Sequence, residues 1–142
     1  MSLSSFMAPN AIKTENIRYI ASKRFLNEHG APEAWEIKCI TSAEDEKLRK
    51  SCTNRVQVSG KRNQFVQETD YDLYVGKLAA LCTVYPNLSD AALQDSYGVL
   101  GDDALLKAML APGEYADYLT KIQEVNSFDT TLEDEVDEAK NS

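Results

Sequence analysis

Three cysteines and one histidine, Cys39, Cys52, Cys82 and His29, are the residues from which covalent chemistry would be built. A thiol nucleophile needs a base beside it, so any Cys–His pair must use His29. That histidine falls in "NEHGAPE", a turn-forming stretch with Gly and Pro. Cys82 lies on an apolar helical stripe and Cys39 on the inward phase of a strand, where a buried structural thiol is the default. Cys52 closes a charged helix, where partial exposure is expected. There is no Cys-x-x-Cys and no His-x-x-x-His, hence no zinc pattern, and the carboxylates lack the Asp and Gly spacing of a calcium loop. The acidic run Glu44-Asp45-Glu46 is better explained by the start of a helix, where the dipole favours negative charge. Gly76-Lys77 lacks the upstream Gly and following Ser or Thr of a phosphate loop, and "GVLG" at 98–101 is too short for a dinucleotide fingerprint. These readings give no catalytic residue, no metal site and no cofactor.

The elements that must position these residues lie in the middle one of three segments. Residues 1–14 read as a flexible leader, 15–128 as one α+β domain and 129–142 as an acidic disordered tail. Ile17, Tyr19, Ala21 and Phe25 alternate, as do Trp35, Ile37 and Cys39, which predicts a β-hairpin with strands near 16–26 and 34–40. Thr41 with Glu44 forms a capping box for a charged helix, "SAEDEKLRKSC". "RVQVSGKRNQFVQ" predicts a second short hairpin. The second half is helical. Thr69 and Asp72 offer a capping box, and Tyr74, Leu78, Leu81, Cys82 and Tyr85 form an apolar stripe that Pro86 ends. Ser89 is the expected N-cap of a short helix, with Leu88 and Leu93 as a hydrophobic staple and Gly98 as its left-handed stop. A helix from Gly101 and Asp102 follows, then one with Pro112 at its first position and Tyr115, Tyr118, Leu119, Ile122 and Val125 on one face.

Composition excludes further classes. The net charge of −8 argues against nucleic acid as main partner, and the one basic cluster, Lys61-Arg62, sits in a turn. No apolar run approaches the roughly 20 residues of a membrane span. The leader "MSLSSFMAPN" lacks the regions of a secretory signal, which together with the odd cysteine count fits a reducing cytoplasm. The tail after Phe128 holds six acidic residues and one Lys, five of the eight net negative charges.

Three words stand out: Tyr85-Pro86-Asn87-Leu88, Leu93-Gln94-Asp95-Ser96-Tyr97-Gly98 and Leu110-Ala111-Pro112-Gly113-Glu114-Tyr115. With "SKRFLNEHGAPEAWEIKCITSAEDEKLRKSCT" and the acidic end, the chain resembles the XkdN-like tail assembly chaperones of phages and prophage-like elements of Firmicutes, over residues 20 to 129. The leader before Lys13 reads as particular to this chain. The resemblance implies a non-enzymatic protein of the host bacterial cytoplasm that holds the phage tape-measure or tail-tube protein during tail assembly and is absent from the mature virion. It carries no catalytic residues to transfer. It also implies, in many phages, a longer product made by ribosomal frameshifting; Ala139-Lys140-Asn141-Ser142 would fit slippery codons. The rival is a small structural tail completion or connector subunit retained in the virion, and a small thiol enzyme is the weakest reading. Leu88, Tyr97 and Tyr118 are the candidate partner-binding residues, Tyr97 and Tyr118 as aromatics with polar tips. The alternative for Tyr97 is inward packing.

Overall fold

Alternating side chains, half-buried and exposed in one and buried and half-buried in the other, mark two short strands, β1 (Ile17–Tyr19) and β2 (Trp35–Ile37), paired antiparallel with Ile17 opposite Ile37 and Tyr19 opposite Trp35. The computed structural model describes residues 2–127. Both strands are shorter than their period-two runs. After Tyr19 the hydroxyl of Ser22 accepts the Arg24 N–H, and further on the Asn27 side chain accepts the N–H groups of His29 and Ala31. Such local side-chain bonds compete with a ladder, so the connection folds into turns, with Gly30 at φ 77°.

The capping box holds as expected: Thr41 caps α1 (Ser42–Ser51), and Glu44 and Thr41 exchange backbone N–H groups. The second hairpin is present as β3 (Thr53–Gln57) and β4 (Phe65–Thr69), a separate two-stranded sheet. Helix α2 (Tyr71–Cys82) is capped by Asp70, whose carboxylate accepts the Leu73 N–H, rather than by Thr69. Thr69 stays in β4 instead, with its hydroxyl 2.8 Å from that of Thr53.

Helix α2 does not run on to Pro86. It stops at Cys82, and Thr83–Tyr85 form a strand, β5, which pairs antiparallel with β2 to complete a sheet of order β1-β2-β5. The β-branched Thr83 and Val84 favour an extended chain. The Thr83 hydroxyl donates back to the Ala79 carbonyl at 2.7 Å and closes the helix. Three helices follow: α3 (Ala91–Ser96), α4 (Asp102–Met109) and α5 (Pro112–Val125). Asp90, not Ser89, caps α3, while Pro112 takes the first position of α5 as predicted.

The core lies between the three-stranded sheet and α2, α4 and α5. Trp35, Ile37, Tyr74, Leu78, Cys82, Leu105, Leu106, Tyr118 and Ile122 are fully or nearly fully buried in it. Lys77 of α2 bridges Asp103 of α4 at 2.9 Å, and Asn126 links the end of α5 to the Ile40 N–H at 2.9 Å and to the Cys82 sulfur at 3.5 Å. The segment before β1 contains one turn of tight helix, Ser4–Phe6, and leaves Leu3, Phe6, Met7 and Ile12 exposed. The tail expected from residue 129 lies outside the described residues.

Candidate partner-binding surface

The stretch from Pro86 to Gly101 folds into a corner held by backbone bonds and by the side chains of Asn87, Asp90, Gln94 and Ser96. Asp90 caps α3, and the helix ends with two bonds of a Schellman motif, from the Gly98 N–H to the Asp95 carbonyl and from the Val99 N–H to the Gln94 carbonyl. Gly98 sits at φ 65° and Gly101 at φ 106°, positions that a side chain would strain. Gln94 ties the two ends together: its amide donates to the Leu88 carbonyl at 2.8 Å, and its side-chain oxygen accepts the Gly101 N–H at 3.0 Å.

The three candidate residues part company here. Tyr97 is 38% exposed and Leu100, between Gly98 and Gly101, is 92% exposed on the same corner. Leu88 is buried, and its side chain serves the core. Tyr118 is fully buried, which corrects the expectation of an exposed aromatic. Its ring meets Trp35 edge-on at 5.3 Å between centroids and lies 6.0 Å from Tyr19, while its hydroxyl shares a 2.6 Å hydrogen bond with Thr83. Burial pushes the Tyr118 phenol above its ordinary range. The polar tip that made it a surface candidate is satisfied inside.

The chemically reactive residues are also dispersed. Cys52 is buried rather than partly exposed, Cys39 is only half-buried, and Cys82 is buried against Asn126. Burial raises the Cys82 thiol pKa, opposite to what a nucleophile needs. His29 lies exposed in the β1–β2 connection. Among the described residues no three His, Cys, Asp or Glu side chains are grouped to hold a metal ion. Two polar clusters have structural work. Tyr74 donates to Asp45, whose other oxygen meets Arg49 at 3.3 Å, and Arg49 covers the Tyr74 ring at 4.7 Å; burial first, then Asp45, pushes the Tyr74 phenol up to about 12. Ser22, Arg24 and the Ala111 N–H converge on Glu114 and pull its carboxyl down to about 2.

Several further exposed apolar residues lie outside the three candidates. Leu100 is one; Val56, Phe65 and Val66 on the second hairpin, Tyr71 beside it, and Val84 and Tyr85 on the β5 edge are others. The signal for the hairpin was available. Val56 and Val58 point to one face and Phe65 to the other, so a hairpin that buried one face would still leave the other bare.

Comparison with known proteins adds the context that geometry does not. The sequence model of the phage XkdN-like tail assembly chaperone proteins matches residues 3–140. The match thus begins well before Lys13, and the leader is not particular to this chain. The chain is 34% identical over 140 residues to the protein YqbN of Bacillus subtilis (strain 168), covering 98% of this chain and 93% of the relative. It is 33% identical, with the same coverage, to protein XkdN of the phage-like element PBSX of the same organism. The crystal structure of YqbN superposes with a TM-score of 0.78 at 29% identity, over 91% of this chain and 98% of that one.

Proposed function

The chain belongs to the XkdN-like family of phage tail assembly chaperones, and from that premise we propose that it is a non-enzymatic binding protein of the host bacterial cytoplasm. It holds the tape-measure protein, the tail-tube protein or both until the tail is built, and it leaves before the virion is complete. The observation that carries this reading is the family match over nearly the whole chain. The net charge of −8 keeps such a protein dispersed while it presents apolar residues to a client.

The corner around α3 is part of the client surface. Tyr97 and Leu100 stand exposed on a turn whose geometry Gln94, Gly98 and Gly101 fix, so little order is lost on binding. Electrophoresis of purified particles and of the producing cells tests the role: the protein is expected in the cells and missing from the particles. Its retention in the particles would instead make it a structural tail subunit. Affinity capture from phage-producing cells should bring down a tail protein, and Tyr97→Ala with Leu100→Ser should weaken that capture without unfolding the chain. Unchanged capture by this variant removes the corner from the client surface.

A further inference from the structure

Strands β3 and β4 carry apolar side chains into solvent. Residues opposite each other in the ladder share a face, which places Val56 with Val66 and Asn54 with Glu68 on one side, and Arg55 with Gln67 and Gln57 with Phe65 on the other. The second side is partly closed on itself, because the Arg55 guanidinium lies 4.5 Å from the Phe65 ring centroid. The first side is open. Val56 and the start of α2 line a shallow cleft of about 330 Å³ in which Val56 and Tyr71 are the apolar lining, and Val66, opposite Val56 on the same face, is 53% exposed. Tyr71 is 59% exposed. A two-stranded hairpin with no third strand is marginal in water, and apolar residues left bare on it are a poor use of its sequence unless something covers them.

Charge identifies what covers them. Glu68, Asp70 and Asp72 line the same cleft. Asp70 is occupied by the Leu73 N–H, but among the described residues neither Glu68 nor Asp72 is in an ion pair. An acidic occupant would be repelled, which sets aside the chain's own terminal segment with its six carboxylates. We propose that this cleft docks a segment of the client tail protein that is amphipathic and bears Lys or Arg, its apolar side chains on Val56, Val66 and Tyr71 and its cations on Glu68 and Asp72. The inference rests on the chaperone reading and adds to it a second contact and the chemistry of the partner.

The test uses the full chain, tagged and co-expressed with the tape-measure and tail-tube proteins of the same phage element. Two double variants are compared with wild type: Val56→Thr with Val66→Thr, which keeps β-branched side chains and so the strands, and Glu68→Gln with Asp72→Asn, which removes charge without bulk. Circular dichroism and thermal midpoint report that each is folded. Each pair is expected to lower captured client about fivefold or more, and capture by the second pair should lose most of its sensitivity to salt. Wild-type-level capture by both folded pairs overturns the cleft and leaves the chaperone reading standing. Wild type that captures no tail protein overturns both. Should size-exclusion show a dimer that the valine pair converts to monomer while client capture is unchanged, a second copy is the occupant and the proposal falls.

Discussion

Glu114 is the carboxylate that the fold perturbs most clearly. The Ser22 hydroxyl, Arg24 Nη2 at 2.9 Å and the Ala111 N–H at 2.8 Å all favour its charged form and hold it at about 2 against an ordinary 4.5. Arg24 also donates to the Met109 carbonyl at 2.6 Å, so one guanidinium joins the β1–β2 connection to the end of α4 and the start of α5. A depressed carboxyl stabilises the fold above its unfolded pKa, and that contribution disappears as pH falls through the folded value. Stability measured by thermal midpoint should therefore drop between pH 4.5 and about 2. In Glu114→Gln, which keeps an acceptor for Ala111 but no charge for Arg24, that part of the acid limb should flatten, and the two proteins should converge at the acid end. Identical acid limbs would mean that the cluster contributes nothing through titration. A second residue-scale test lies at Gly76, on the α2 face toward α5. A Cβ there would stand 3.1 Å from the Tyr115 hydroxyl and 3.8 Å from Lys107 Cε, with nothing else within 4 Å. Alanine is about 1 kcal/mol better than glycine inside a helix. Gly76→Ala should realise that gain fully only when Tyr115→Phe removes the obstructing oxygen. A double-mutant cycle by denaturant unfolding should show the alanine more favourable, by several tenths of a kcal/mol or more, in the Tyr115→Phe background.

Among the elements, the α3 corner is tied at both ends by the Gln94 side chain, beside the burial of Leu88. Gln94→Met keeps length and helix propensity but strands the Leu88 carbonyl and the Gly101 N–H. The expected cost in urea unfolding is about 1–2 kcal/mol, with Gln94→Glu intermediate because it retains the acceptor for Gly101. Much of this level was legible beforehand, and the reason is local. The Thr41–Glu44 box, Gly98 as a left-handed stop and Pro112 at a helix start each act over a few residues, so residue type and spacing suffice. Strand β5 was not legible. Its three residues are too few to show a period, Tyr85 falls by coincidence in phase with the α2 stripe, and its partner β2 is far upstream. The one-residue errors at the caps, Asp90 for Ser89 and Asp70 for Thr69, have a common form: two good capping residues stand side by side, and the pairing of Thr69 with Thr53 in one case and a local turn at Asn87 in the other accompany the choice.

At the scale of the whole molecule, the sequence could say which side chains have apolar bodies but not which faces would find a neighbour. Tyr118 and Tyr97 look alike as sequence; one lies at the centre of the Trp35 cluster with its hydroxyl on Thr83, and the other stands at a corner. The same blindness hid the isolation of the β3–β4 hairpin, whose existence was read correctly but whose separation from the main sheet depends on where α1 and α2 carry its ends. That isolation has a measurable consequence. The sheet β1-β2-β5 and the helices α2, α4 and α5 share one buried core, whereas no β3 or β4 side chain belongs to it. Opening the hairpin therefore exposes little apolar surface and should cost far less than opening the core. In native-state hydrogen exchange, amides of the β3–β4 ladder such as Val56 and Val66, which face each other in a hydrogen-bonded pair, should show opening free energies of about 1–3 kcal/mol, while those of Leu78, Leu106 and Ile122 should approach global stability, of order 5–15 kcal/mol. The ladder amides should respond strongly to mild changes in temperature that leave the core amides untouched. Equal protection in the two groups would show that the hairpin unfolds only with the whole domain, and its bare apolar face would then have to be counted as part of a cooperative unit that the packing does not reveal.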